Sequence, residues 1–317
     1  MSGAKFISSY GRYFFLSNIP RVESKPPILR NFIKANLFKP TFQSQAQVKF
    51  TQQTRSFHNT SISKFINVYN YNFRNNYSTL KKALIFSGLF ITATTVLTPY
   101  LFQIPPFNYF KSHPTHLVYT LVGINCAIFG LWQVPKFWRV LSRYALLEKN
   151  QMYSSWSAIG SAFSHQEIWH LGMNMLALYS FGTSLVHIIG VENFTMLYLN
   201  GAILSSIGSI VYPILFKIPI SAASLGASGA LFSVFGAFSY LIPHAKIMLF
   251  VFPIPGGAWF AFLGSMVWNL SGVFLKWGKF DYAAHTVGGV FGVMYAWYLK
   301  EKSDRQRAKR LHSYGFR

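Results

Sequence analysis

The segment 281–292 reads DYAAHTVGGVFG and opens the last long apolar stretch of the 317-residue chain. Ala284, Gly288 and Gly292 recur at intervals of four, so on a helix they line one groove of small side chains. Such a groove lets a second helix approach closely inside a membrane. His285 lies beside it, either as a general base or as a core histidine bonded to a backbone carbonyl. The segment therefore predicts a tightly packed membrane helix that carries a histidine.

A second segment offers a matching partner for that groove. Residues 225–230 read LGASGA, and the small neighbours leave the Ser228 hydroxyl unobstructed. A serine that opens a helix lies among backbone N–H groups without intrahelical partners, which favours binding of an oxyanion. The face of Gly226, Gly229 and Ala230 is expected to meet the groove beside His285. Ser228 is then either a nucleophile or a helix cap in a packing interface.

The third group of polar residues opens an earlier apolar stretch. Residues 165–174 read HQEIWHLGMN, and His170 and Asn174 share one helical face. Side-chain N–H groups of His165 and Asn174 are suited to stabilising a developing oxyanion. The alternative is a zinc site made by His165, Glu167 and His170, but the spacing is not that of a helical His pair. We therefore expect no metal here.

The distribution of charge indicates a membrane protein. The chain has 29 Lys and Arg against 7 Asp and Glu, a formal charge of +22, yet only 11% of its residues are charged. A soluble domain has about twice that charged fraction, so a soluble globular enzyme is excluded. The apolar stretches predict seven helical spans, because backbone groups in lipid must pair internally. The predicted spans are 83–102, 115–133, 168–189, 193–215, 226–243, 256–275 and 283–299.

The first 82 residues have the composition of a targeting sequence. They contain 13 Lys and Arg but a single acid, Glu23, and no long apolar run. This favours a mitochondrial presequence over a secretory signal. Around Arg55 the pattern is typical of two-step processing that would leave Phe65 as the first residue, which predicts a presequence over 1–64 and a basic arm over 65–82. The alternative is a disordered basic arm that binds nucleic acid or anionic lipid.

Taken together, H-x4-H-x3-N, GASG and AH-x2-GG-x2-G, each on its own span, resemble the rhomboid intramembrane serine proteases. The resemblance implies an all-α polytopic membrane protein in which a six-helix rhomboid catalytic core follows one additional N-terminal transmembrane helix. We place the extra helix at 83–103, the core at 115–299 and a basic tail at 300–317. The presequence and extra helix resemble the fungal and animal processing rhomboids of the mitochondrial inner membrane.

The resemblance also implies roles for the polar residues. Ser228 is the nucleophile and His285 the general base, while His165, Asn174 and the Ser228 backbone N–H form the oxyanion hole. Residues expected to have structural roles near the site are His170, Gly226, Gly229, Phe232 and Gly289. Phe232 stands where many members have a tyrosine that stacks on the base, so the ring is kept and the hydroxyl lost. Asp281 precedes the base by four, and we expect it to cap the helix, which leaves a Ser–His dyad.

The implied partners follow from the same resemblance. They are the lipid bilayer, transmembrane substrates, and the mitochondrial import and processing machinery, with no nucleic acid and no cofactor. Substrates would be imported precursors such as a dynamin-like GTPase and cytochrome c peroxidase. Two other functions stay open from the residues alone. A catalytically silent rhomboid-like protein would bind membrane segments without cutting them, and a multispan transporter would also keep polar residues in its spans.

Overall fold

The computed structural model describes most of the chain beyond its N-terminal segment. The described residues are 77–149, 152–218, 223–249, 252–278 and 280–313. The predicted presequence, 1–64, and the first part of the predicted basic arm, 65–76, lie outside them.

Helices account for nearly all of the described secondary structure. They are α1 Tyr77–Leu101, α2 Tyr109–Ser112, α3 Pro114–Trp132, α4 Trp138–Tyr144, α5 Ser157–Gly160, α6 Ile168–Ala177, α7 Thr183–Leu215, α8 Ser228–Leu241, α9 Gly257–Phe274 and α10 Tyr282–Ser313. Short 3-10 turns cover Pro135–Phe137 and Ser161–Phe163, and a π-helical turn, Leu178–Gly182, joins α6 to α7. A two-stranded antiparallel ribbon pairs β1, Met248–Leu249, with β2, Phe252–Pro253.

The membrane spans agree with the prediction of a polytopic helical protein. Among the described residues, four helical stretches are long and apolar enough to cross a membrane: α1, α3, the stretch Ile168–Leu215 and α9. The third is broken at Gly190, whose φ of 80° and ψ of 161° are not helical, so it supplies two spans. This break was predicted from the polar residues that follow Gly190. With α8 and α10, the order of seven helices matches the predicted order.

Three of the predicted segments differ in extent from those of the structure. The N-terminal helix begins at Tyr77 rather than at residue 83, because a helix does not have to end where its side chains become charged. For the same reason α10 runs on to Ser313, so the predicted tail, 300–317, is helical as far as it is described. The fifth span is shorter than predicted: α8 has 14 residues and a length of about 21 Å. Two of the four missing residues, Gly226 and Ala227, belong to the non-helical segment that leads to Ser228.

The centre of the bundle is the close packing of α8 on α10. A methyl group added at Gly236 would lie 2.6 Å from the carbonyl oxygen of Gly289. Closer to the N-terminus of α8, a methyl group at Gly288 would overlap the carbonyl oxygen of Gly229. The predicted groove of small residues therefore receives the predicted partner helix. This packing sets the distance between any side chains that the two helices place in the groove.

The additional N-terminal helix packs on the core through polar and aromatic contacts. Thr94 of α1 donates its hydroxyl to Asn200 Oδ1 of α7 over 2.6 Å. Phe86 of α1 meets the ring of Trp156 edge-on, with centroids 5.2 Å apart. Trp156 belongs to the long connection between the second and third spans, so α1 contacts both the bundle and this loop.

Candidate active site

Ser228 is the first residue of α8 and follows a tight turn. Gly226 has a φ of +125°, which L side chains rarely adopt, and a methyl group there would lie 2.6 Å from His170 Cε1. The Gly226 N–H donates to the carbonyl of Ser161 over 2.8 Å. A glycine is thus required both by the backbone angle and by the imidazole beside it. The turn holds Ser228 at the open end of its helix.

His285 of α10 reaches Ser228 directly. Its Nε2 lies 2.8 Å from Ser228 Oγ, across 57 residues of sequence. Phe232, one turn further along α8, stacks on the imidazole with centroids 4.5 Å apart and planes 19° apart. The ring therefore occupies the place expected for it beside His285 and limits how far the imidazole can rotate. This pair of side chains has the geometry of a nucleophile and its general base.

The other imidazole nitrogen has a partner that sequence reasoning missed. His285 Nδ1 lies 2.9 Å from Oδ1 of Asn269, a buried residue of α9. The signal was present in the sequence, because Asn269 is a single amide within the apolar span 256–275. A buried polar side chain in a membrane helix needs a partner or a task. Applied to this span, that rule would have found Asn269.

His165 and Asn174 lie together, as predicted, and the Asn174 amide nitrogen already has two hydrogen-bond acceptors. Asn174 Nδ2 donates to the carbonyl of His170 over 2.9 Å and lies 3.0 Å from His165 Nε2. The Ala227 N–H also points at His165 Nε2, at 3.3 Å. This nitrogen therefore accepts, and the ring proton belongs on Nδ1, which is buried without a protein partner. His165 connects Asn174 to the turn before Ser228.

Burial keeps His165 neutral. The side chain is fully buried, and this burial, together with the smaller effect of the neighbouring His170, lowers the pKa of His165 from 6.5 to about 4. The rings of His165 and His170 meet edge-on with centroids 5.0 Å apart.

Glu167, the third side chain of the alternative zinc site, is exposed. In the described ranges, no group of three His, Cys, Asp or Glu side chains is arranged to hold a metal ion.

Asp281 caps α10, as predicted, and also connects three other segments. Its Oδ1 accepts the Ala284 N–H over 3.2 Å. Its Oδ2 accepts from Lys149 Nζ over 3.1 Å, from the Ser224 hydroxyl over 2.6 Å and from the Ser209 hydroxyl. Burial alone would raise the pKa of Asp281, but the ammonium and the two hydroxyls outweigh burial and lower that pKa below its usual range. Asp281 is thus ionised and ties the start of α10 to the approach to Ser228.

These side chains line a single cavity. It has a volume of about 770 Å³, and its walls include Asn174, His170, Ser228 and His285. Lys149 and Asp281 line it as well, while Trp169 adds an apolar surface. His165 is not among the lining residues, which agrees with its full burial. The volume lies in the range of sites that take ligands of substantial size, so a short extended segment of polypeptide can be accommodated.

Known proteins provide an independent comparison for this arrangement. Residues 152–302 match the family model described as "Rhomboid domain". The chain is 60% identical over 219 residues to "Rhomboid protein 1, mitochondrial" of Saccharomyces cerevisiae, an alignment that covers 69% of this chain and 63% of the yeast protein. It is 33% identical over 190 residues to "Presenilin-associated rhomboid-like protein A, mitochondrial" of Danio rerio, covering 59% of this chain and 49% of that protein.

A human protein aligns over a similar number of residues. "Presenilin-associated rhomboid-like protein, mitochondrial" of Homo sapiens is 32% identical over 185 residues, which cover 57% of this chain and 48% of the human protein. The chain thus spans between about half and about two thirds of the length of these relatives. The family match covers α5 to α9 and most of α10, and so it includes Ser228, His285 and Asn174, whereas Lys149 of the cavity wall lies just before it.

Proposed function

Because the chain belongs to the rhomboid family, we propose that it is an intramembrane serine endopeptidase with Ser228 as nucleophile and His285 as general base. The observation that carries the proposal is the 2.8 Å contact between His285 Nε2 and Ser228 Oγ at the wall of the cavity. A neutral imidazole beside a serine at an open helix end is what an acyl-transfer mechanism requires.

The reaction follows from the positions of these atoms. Ser228 Oγ attacks the scissile carbonyl carbon while its proton passes to His285 Nε2. The C–N bond then breaks, and the imidazolium returns the proton to the departing amine nitrogen. This leaves an ester between Ser228 and the N-terminal part of the substrate. Water, deprotonated by the same imidazole, hydrolyses that ester and restores the serine.

The negative oxygen formed during attack needs hydrogen-bond donors. We infer that they are the Ser228 backbone N–H, at the open end of α8, and Asn174 Nδ2, one of whose N–H groups turns from its acceptor in the free protein to the oxyanion. His165 was expected to donate as well. Since its Nε2 accepts in the free protein, we propose that His165 orients Asn174 and the Ala227–Ser228 turn, and so contributes through them. His170 and Gly226 then have the structural roles expected of them.

We propose that the enzyme acts in the mitochondrial inner membrane. The helical spans, the basic first 82 residues and the names of the mitochondrial relatives all support that address. In this proposal residues 1–64 are the presequence and residues 65–82 the basic arm, whose last six residues form the start of α1. The substrates are transmembrane segments of imported precursors, with a dynamin-like GTPase and cytochrome c peroxidase as the first two to examine. Import and processing machinery would handle the chain before it reaches the membrane.

The direct test is covalent labelling. A fluorophosphonate probe is expected to label the detergent-solubilised protein, and Ser228→Ala is expected to abolish the signal. Ser233→Ala is the matched control, because Ser233 is a buried serine of the same helix whose hydroxyl bonds to the Gly229 carbonyl over 3.3 Å. Its labelling should equal that of the wild type. Wild-type protein that is folded but unlabelled would overturn the proposal and favour a rhomboid-like protein that binds membrane segments without cutting them.

A further inference from the structure

Asn269 occupies the third position of a catalytic constellation. Its Oδ1 lies 2.9 Å from His285 Nδ1, while His285 Nε2 lies 2.8 Å from Ser228 Oγ. The three side chains come from three different helices, α9, α10 and α8. Asn269 is only 3% exposed, so solvent does not supply an alternative partner for its amide.

The orientation of this amide is set by a second hydrogen bond. Asn269 Nδ2 donates to the carbonyl of Ser265, one turn earlier on α9, over 2.8 Å. If the amide were turned over, its oxygen would face the Ser265 carbonyl oxygen, and no hydrogen would lie between these two acceptors. Its N–H groups would then face the imidazole. The oxygen therefore faces His285. An amide oxygen only accepts, so His285 Nδ1 must carry the ring proton.

The position of that proton determines what His285 can do. With the proton on Nδ1, the lone pair of Nε2 points at the Ser228 hydroxyl, which is the tautomer a general base needs. The other tautomer would direct an N–H at Ser228 Oγ and could not take its proton. Phe232 restrains the face of the imidazole and Asn269 restrains its edge. Ring plane and tautomer are thus both determined before substrate binds.

Asp281 does not compete for this position. Its carboxylate already accepts from Lys149, Ser224 and the Ala284 N–H. A neutral acceptor at Nδ1 also suits a site inside a membrane helix, where an unpaired carboxylate is costly. When His285 takes the proton of Ser228, the Asn269 oxygen still accepts from Nδ1 and faces the imidazolium with the negative end of its dipole.

We propose that Asn269 is a positioning residue that completes a Ser228–His285–Asn269 triad by fixing the tautomer and orientation of the general base. This inference rests on the proposed function, since it assigns a role within the same reaction. Asn269 takes no proton and touches no substrate. Its removal should therefore lower turnover and leave substrate binding unchanged.

The test compares Asn269→Ala, Asn269→Asp and a matched control by kcat, KM and pH–rate profile, using a fluorogenic transmembrane peptide in detergent. Asn269→Ala should lower kcat roughly 10–100-fold with KM unchanged, because one hydrogen bond and the tautomer preference are lost. Asn269→Asp restores an acceptor at Nδ1 and should recover most of that loss. Its negative charge would stabilise the imidazolium, so the acid limb of kcat should move to higher pH.

Asn125→Ala is the matched control. Asn125 is fully buried in α3, and its Nδ2 makes the same kind of bond, to the Leu121 carbonyl over 2.8 Å, but it belongs to another span. It should lose thermal stability comparably to Asn269→Ala and keep wild-type kcat. The inference is overturned if Asn269→Ala keeps wild-type kcat. It is equally overturned if the Ala and Asp variants lose activity alike with an unshifted pH profile. Failure of the wild type itself to react with a fluorophosphonate would instead refute the proposed function.

Discussion

Replacing Gly236 by alanine tests whether close packing of α8 on α10 sets the distance between Ser228 and His285. The added methyl group would lie 2.6 Å from the Gly289 carbonyl oxygen, whereas ordinary contact begins at 3.4 Å. A backbone oxygen within a helix cannot rotate away as a flexible side chain can. We therefore expect the two helices to part by up to about 0.8 Å.

That displacement is large on the scale of the catalytic contact. Ser228 Oγ and His285 Nε2 are 2.8 Å apart. An increase of about 0.8 Å takes the pair beyond direct hydrogen-bond distance. Misplacing a reacting group by about 1 Å costs on the order of 100-fold in rate, so kcat should fall roughly 10–100-fold. Overpacking should also destabilise the fold by about 1–3 kcal/mol, offset by about 1 kcal/mol from the higher helix propensity of alanine.

The assay is cleavage of a fluorogenic transmembrane peptide, with thermal unfolding measured on the same samples. Gly264→Ala is the control, because Gly264 lies in α9 with no atom within 4 Å of an added methyl group. It should keep wild-type kcat. If Gly236→Ala were folded and cleaved at the wild-type rate, the packing of these two helices would not be what sets the site, and the reasoning from glycine contacts would be wrong.

Three further changes probe the surroundings of the site. Lys149→Met should lower the free energy of unfolding by about 1–3 kcal/mol, since it leaves the Asp281 carboxylate without its cation. The double variant, which also carries Asp281→Asn, should lose less stability than the sum of the two single variants. Thermal unfolding measures both effects. The pKa of His165 is about 4 in the folded protein and 6.5 in the unfolded chain. His165 therefore adds no pH dependence to the stability of the fold above pH 6.5, and it lowers that stability progressively as the pH falls towards 4. The melting temperature should therefore drop less between pH 7 and 5 in His165→Asn than in the wild type; an equal drop would contradict the assignment. Asn174→Ala should stay folded with kcat reduced roughly 10–1000-fold, and full activity would remove it from the oxyanion hole.

The helical layout was predictable because the membrane imposes it. Long apolar stretches must be helical in lipid, and the break at Gly190 stands two residues before the charged Glu192. The packing of α8 on α10 was likewise visible in the four-residue spacing of small side chains around Gly288. These features are local, so periodicity and composition are enough to find them.

The contacts that no local pattern encodes were missed. Asn269 meets His285 from a different helix, and Lys149 meets Asp281 across 132 residues. Nothing in the spacing of these residues indicates which partner each one finds, because the match depends on how the helices are arranged in space. His165 illustrates a second limit. Its position was predicted, but the direction of its hydrogen bonds depends on the backbone N–H of Ala227.

The central claim is that Ser228 cuts a peptide bond within a membrane-spanning segment, and one measurement addresses it most directly. Wild-type enzyme and Ser228→Ala are reconstituted in liposomes with a transmembrane substrate whose helix is weakened by Gly or Pro, and the products are mapped by mass spectrometry. A helix hides its carbonyls in backbone hydrogen bonds, so the cut should fall in the weakened part of the span. The account predicts new termini there with the wild type and none with Ser228→Ala. Equal cleavage by both proteins, or cuts confined to the aqueous flanks, would contradict it.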